Sequence, residues 1–377
     1  MKKKVLGVET KTELHTHMMG MLTAGGFINF LSQFGYCFPI NKMGEIDFDR
    51  SSVERVPARE ALYDNNILSQ LSIPHGKKSD YSRLNEFYTT RNRLMAYLIY
   101  YLSKIQNKIQ NPELKYIIYG LYLEDCLREL IDQEVEYVEI SFSNAPIIEN
   151  CIKYVNPSVL GNIKCKFLLS TDRHGIAKDF RQSSRHMVGL IEKNIAVGFD
   201  IMGAEIPFTD LDMDRSSKFG LEQKMTPIIE KLNAWGNSTL RIHSGETRLS
   251  GENTEKTLTI IERIANTLNI VIPPPEIRIG HGVYFRESEE YLRLLKKFGC
   301  IVEVNASSNY ALDNVDKYSD IPYNYYLDND IPVVICSDGH GLYDTDKETE
   351  DIIALANTSE DNFKKIIEID RKIRKIK

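Results

Sequence analysis

Eight short, mostly apolar runs punctuate the chain: Thr12–His17, Val135–Phe142, Lys164–Ser170, Ala196–Met202, Thr239–His243, Ile277–His281, Cys300–Asn305 and Pro332–Ser337. Runs that are apolar on consecutive rather than alternate positions are expected of parallel strands covered on both faces. Between them, apolar residues recur at intervals of three and four in Leu114–Gln133, Ile176–Asn194, Lys218–Trp235, Thr254–Leu268 and Ser288–Phe298, the spacing of helices with one buried face. Eight strands alternating with helices predict an α/β fold, a (β/α)8 TIM barrel. One interval breaks the rhythm. Residues 18–134 separate the first run from the second, far more than a crossover needs. Within them Leu84–Gln106 and Leu114–Gln133 have helical spacing, while Phe38–Asp80 reads as irregular and rich in turn residues. The expectation is a single barrel domain over 1–377 with a mostly helical insertion, about 38–134, between strands 1 and 2. Loops at the C-terminal ends of barrel strands build active sites, so the insertion is a candidate lid. A structural cap or an oligomer surface is the alternative.

Length and composition narrow this further. At 377 residues the chain would ordinarily hold two domains, unless it is a barrel of the kind that runs past 250 residues as one unit. Lys and Arg number 47 against 53 Asp and Glu, a formal charge of −6. That balance argues against a protein that coats duplex nucleic acid, and leaves room for a local pocket taking one phosphate. No run of about 18 apolar residues occurs, so no membrane span is expected. The opening Met1–Leu6 is charged and lacks the apolar stretch of a secretory signal. Six cysteines are scattered without a C-x-x-C pair, which disfavours a disulfide framework or a cysteine-bound zinc and fits a reducing, cytoplasmic setting.

The eight histidines carry the chemistry. The first run ends Glu13-Leu14-His15-Thr16-His17, and residues two apart on a strand share a face. His15 and His17 are therefore expected to project together into the barrel mouth. Alone, H-x-H is a weak signal that two solvent-facing histidines would also satisfy. The fifth run adds His243, with Glu246 three residues on, and the eighth ends at Asp338. Three imidazoles and a carboxylate form a donor set suited to one zinc ion with a position left open. The sixth run ends at His281, set between Gly280 and Gly282. With four ligands already counted, His281 is free to handle protons or hold a water. A fifth ligand, or a prop behind the ligands, is the other reading.

The ordered set HTHMMG (15–20), HSGE (243–246), RIGHG (278–282), EVNASSN (303–309) and SDGHGLYDTD (337–346) resembles the successive motifs of the adenosine deaminase family, within the metal-dependent amidohydrolase superfamily. Two weaker segments, YVEISFS (137–143) and GFDIMGAE (198–205), are similar to that family's second and fourth strands. The resemblance implies zinc ligands at His15, His17, His243 and Asp338, an acid at Glu246 and a metal-side histidine at His281. It also implies that the backbone of Gly203 faces purine N3. The implied reaction is hydrolytic deamination of a 6-aminopurine, with one Zn2+ per chain. In it His281 and Asp338 orient the attacking water and take its proton. Glu246 protonates ring N1 and then the departing amine, a role that partial burial would favour.

Two positions depart from the family pattern, both in substrate recognition. Met19 stands where the family has an aspartate for the ribose 5′-hydroxyl, and Gly339 where its paired aspartate reads purine N7. His340 follows directly and is a candidate replacement donor, with a solvent-facing loop histidine as the bland reading. Loss of a carboxylate on the 5′ side also removes a charge that would repel phosphate. The expected substrate is therefore a small purine nucleoside or nucleotide: adenosine, deoxyadenosine or a monophosphate. Lys77, Lys78 and Arg83 are candidate phosphate ligands, and Arg173-His174 a candidate contact to ribose or phosphate. The alternative enzyme reading is an amidohydrolase acting on an N6-substituted purine or another cyclic amidine, and the alternative class a non-catalytic binding or assembly scaffold. His75, His186 and the basic tail from Arg371 read as surface, and the tyrosines of 97–122 as packing within the insertion. An oligomer is compatible with all of these readings.

Overall fold

The computed structural model describes residues 10–48, 54–105, 112–203, 205, 220–234, 238–270 and 277–376. Eight strands form one sheet in chain order: β1 (Thr12–His17), β2 (Tyr137–Phe142), β3 (Lys164–Asp172), β4 (Ala196–Met202), β5 (Thr239–Ser244), β6 (Ile277–His281), β7 (Ile301–Asn305) and β8 (Val333–Cys336). Each pairs in parallel with the next. A parallel bridge between Thr16 and Asp338 brings β1 and the end of β8 together, and the Asp338 N–H donates to the His15 carbonyl at 2.8 Å. The result is the expected (β/α)8 barrel.

The strands form where consecutive positions can all be buried. Leu14, Val138, Phe167, Phe199, Leu240, Ile277, Val302 and Val333 are fully inaccessible. Helices Ala177–Glu192, Leu221–Ala234, Asn253–Leu268 and Glu289–Lys297 follow β3 to β6, close to their predicted limits, with residues 218, 219 and 235 outside those described. The barrel interior is not wholly apolar. Arg278 donates to Glu139 at 2.6 Å and to Glu303 at 3.2 Å, and Arg241 to Asp200 at 2.8 Å. These charges are tolerable in the interior because each is paired and hydrogen-bonded.

The segment after β1 holds more regular structure than its sequence suggests. Helix Ala24–Ser32 is capped by Thr23, whose hydroxyl accepts from the Gly26 N–H at 3.0 Å. A hairpin pairs Cys37–Ile40 with Glu54–Pro57, and short helices Ala58–Ala61 and Asn65–Leu68 follow, inside the stretch read as irregular. Its second strand is largely exposed and polar, so no apolar period marks it. Two long helices, Tyr81–Ile105 and Leu114–Asp132, complete the insertion. Arg91 fastens it to the barrel. Its fully buried guanidinium donates to the carbonyls of Leu71, Met19, Leu22 and Gly341, the last at 3.1 Å. Tyr122 is buried and donates to the Met18 carbonyl, whereas Tyr97, Tyr100 and Tyr101 are exposed, so only part of the tyrosine-rich stretch packs inward. Among the described residues, no helix is long and apolar enough to cross a membrane.

Candidate active site

The strands carry four histidines and an aspartate to one end of the barrel. Alternation on β1 turns His15 and His17 to the same side, with ring centroids 5.6 Å apart. His243 comes from β5, 4.6 Å from His15 and 5.2 Å from His17 between ring centroids. Asp338 follows β8, its Oδ1 lying 3.2 Å from His17 Nε2 and 3.5 Å from His15 Nε2. Its other oxygen is held away from the histidines by hydroxyls of Ser308, at 2.8 Å, and Tyr343, at 3.0 Å. His281 Nε2 lies 3.7 Å from Glu246 Oε1. Among the described residues, donor atoms within 4.8 Å of one another form three overlapping trios: His15, His17 and His243; His15, His281 and Asp338; and His243, Glu246 and His281.

Two residues at the heart of this arrangement have left-handed backbones, His281 at φ 73° and Asp338 at φ 63°. Such conformations are costly for residues with side chains and concentrate at functional sites. Gly339, at φ 138°, follows Asp338 and packs against Gly20, whose Cα would lie 3.3 Å from a Cβ placed there. The aspartate of the resembling family would be strained and crowded at that position.

Electrostatics fit a cation. The Nε2 atoms of His15, His243 and His281 are buried without well-formed hydrogen bonds, each with only a carboxylate oxygen nearby: Asp338 at 3.5 Å, Asp200 at 3.3 Å and Glu246 at 3.7 Å. Burial and Arg241 disfavour a charge on His15, but hydrogen bonds to Asp338 and Glu303 prevail and raise its pKa to about 9. Burial likewise opposes ionisation of Asp338, and hydrogen bonds from His15 and His17 outweigh it and hold the carboxyl well below the usual range. Burial keeps His243 neutral, its pKa well below the ordinary value despite Asp200 nearby. A divalent ion would take the place of the proton that His15 otherwise attracts. Borderline nitrogen donors with one carboxylate are a donor set typical of zinc.

Several supporting residues lie outside the sequence assignment. Glu205 closes the quoted GFDIMGAE motif, and its carboxylate accepts from the backbone N–H of Gly245 at 2.9 Å and of Glu246 at 2.7 Å, so it shapes the turn that carries Glu246. Asp200, in the same motif, joins Arg241 beneath His243. Glu303 Oε2 lies 3.1 Å from His15 Nδ1. From the insertion, Tyr81 accepts from Asn314 at 2.8 Å, and burial together with the nearby Glu246 carboxylate raises its phenol. Tyr88 meets the His17 ring edge-on at 6.4 Å between centroids. The tyrosine count was visible in the sequence, but not which of them reach the mouth.

The substrate-side candidates are distributed differently. Gly203 directly follows the C-terminal end of β4. Met19 is buried in the apolar core, and its carbonyl accepts from Arg91. His340 is buried rather than solvent-facing, with Nε2 3.2 Å from Glu129 Oε2 on the insertion. Arg173 is also buried and donates to the His243 carbonyl, propping β5. Lys78 pairs with Asp313 and Arg83 with Glu86, so both of these candidate phosphate ligands already have carboxylate partners. His75 and His186 are exposed, as expected.

The adenosine deaminase family model matches residues 268–365, the stretch containing RIGHG, EVNASSN and SDGHGLYDTD. An adenosine deaminase of Clostridium perfringens (strain 13 / Type A) is 25% identical over 372 residues, covering 94% of this chain and 91% of that relative. The chain is similar to adenosine deaminases over nearly its whole length. These similarities support a hydrolytic deaminase. N6-Methyl-AMP deaminase-L of Xenopus laevis is also 25% identical, over 257 residues, covering 62% of this chain and 63% of its own length. Among solved structures, Arabidopsis ADAL complexed with GMP shares the fold, with a TM-score of 0.60 at 15% identity over 98% of this chain and 96% of that one.

Proposed function

We propose that the protein deaminates a 6-aminopurine nucleoside or nucleotide hydrolytically, using a single zinc ion held by His15, His17, His243 and Asp338. The observation that carries this reading is the convergence of buried imidazole nitrogens with Asp338, and of Glu246 with His281, at one end of the barrel. Bound there, zinc supplies the Lewis acidity that makes water a competent nucleophile near neutral pH. His281, through Nε2, takes the proton of the attacking water, and Asp338 orients that water. Glu246 delivers its proton to ring N1, which makes C6 electrophilic, and then relays to the leaving amine the proton that the C6 hydroxyl loses as it becomes the 6-oxo group. Glu205 keeps the Glu246 backbone in place, so the acid meets the ring edge without searching for it.

A 5′-monophosphate is favoured over the free nucleoside by two observations. Met19 brings no carboxylate to repel phosphate, and the fold neighbour ADAL was crystallised with the nucleotide GMP. An N6-alkylated nucleotide is the second reading, supported by the Xenopus relative's activity name. Adenosine, deoxyadenosine, AMP, dAMP and N6-methyl-AMP are to be compared for amine release, with bound metal quantified. Preference for a monophosphate is expected, and strong preference for a nucleoside would overturn the nucleotide reading. Glu246→Gln should retain zinc while kcat falls by about 10²–10⁴-fold, the usual contribution of proton transfer. Unchanged turnover would remove Glu246 from its role.

A further inference from the structure

The proposed chemistry asks two neighbouring imidazoles to present a bare Nε2: His15 to a cation, His281 to a proton. Each must then carry its own hydrogen on Nδ1, and the partner of that hydrogen fixes the tautomer. Glu303 Oε2 lies 3.1 Å from His15 Nδ1, and Asn309 Oδ1 lies 3.2 Å from His281 Nδ1. The Glu303 carboxylate can only accept, as an Nδ1–H requires, and Asn309 is placed with its oxygen toward the ring. A third group touches both rings. The side-chain amide of Asn305, fully buried at the end of β7, stands 3.3 Å from His15 Nδ1 and 3.4 Å from His281 Nδ1.

The orientation of that amide is decided by its neighbours. If its NH2 faced the rings, it would meet two N–H groups donor to donor, the arrangement that costs most in a buried site. Amide nitrogen and oxygen are nearly alike in shape, so the hydrogen-bond network assigns them. Turned the other way, the oxygen lies between the two Nδ1–H groups. We infer that Asn305 is a positioning residue whose side-chain oxygen accepts from Nδ1–H of both His15 and His281, locking the two rings in one tautomer and tying a metal ligand to the proton-handling histidine. The roles of the two rings rest on the proposed deaminase function; the tautomers have separate support in the oxygens of Glu303 and Asn309 that face the two Nδ1 atoms.

The test uses the full-length, zinc-loaded protein. Long-range ¹H–¹⁵N spectra of the imidazoles should show hydrogen on Nδ1 of both His15 and His281. An Nε2–H tautomer at His281 would overturn the inference whatever the activity. Asn305→Leu, close to isosteric, should shift both rings' Nδ1 signals and lower kcat by about 10–100-fold, the usual effect of removing a group that orients a ligand. Asn305→Asp keeps an acceptor and removes the donor, so it should be several-fold more active than the leucine variant. Equal loss in both would show that the NH2 matters and sink the proposal. The spectra of the native protein decide the matter if a variant does not fold. A protein inert toward every purine, yet with both rings as Nδ1–H, would overturn the deaminase reading and leave this one standing.

Discussion

Gly280 lacks a side chain for a reason found on another strand. A Cβ there would stand 2.6 Å from Cε1 of His15, a ring already held by Glu303 and Asn305. Gly280→Ala should therefore tilt the imidazole and weaken zinc binding by about 10–100-fold, measured by competition with a chromogenic chelator. Unaltered affinity would mean that His15 is not a ligand. The histidines themselves were legible in the sequence because strand periodicity and strand ends place them without knowledge of the rest of the fold. The roles of Glu205, Asn305 and Arg173, the last read as a substrate contact, were not, since each acts on a residue distant in sequence. Glu205 reaches the turn after β5, Asn305 two rings from β1 and β6, and Arg173 a carbonyl on β5. His340 was misjudged in its bland reading because its partner, Glu129, lies on an insertion helix whose docking the sequence does not reveal.

Among the elements, the insertion depends most on a single residue. Arg91, on the 81–105 helix, holds carbonyls from the segment after β1, from Leu71 and from the segment after β8. Arg91→Leu should leave those carbonyls buried without a donor and destabilise the protein by about 3 kcal/mol or more, read as a lower denaturant midpoint. Lysine should recover only part of this, because a point charge cannot replace a planar fork. A midpoint unchanged in Arg91→Leu would show that the insertion is held by its apolar contacts alone. The barrel strands were predictable to within two residues at either end, since burial on both faces leaves an apolar run that few other structures produce. The hairpin of Cys37–Ile40 and Glu54–Pro57 was not, because its second strand stays wet and carries no such run.

At the scale of the whole molecule, pH acts through carboxylates that folding buries. Glu350 is fully buried and accepts from the N–H groups of Ala306, at 3.2 Å, and Ser307, at 3.3 Å. Burial nevertheless pushes its pKa up to about 7, and that of Asp351 to about 6. Both folded values exceed the unfolded ones, so the native state binds more protons across this window. Stability should thus fall as pH rises from about 4.5 to 7, with the full cost present above pH 7. Glu350→Gln should raise stability by about 3 kcal/mol at pH 8 and leave it nearly unchanged at pH 4, compared in denaturant titrations at the two values. An equal gain at both would assign the effect to something other than ionisation. The bridge between Thr16 and Asp338 has a further consequence. Every other neighbouring pair of strands meets along a ladder, whereas here the barrel's first and last strands meet beside proposed ligands from both sides, His15 and His17 on one and Asp338 on the other. A cation at that point would act as a clasp across the seam of the cylinder, much as a crosslink joins two distant parts of a chain. Stripping it with a chelator should speed amide exchange at Thr16 and Asp338 well before the strands on the opposite side respond.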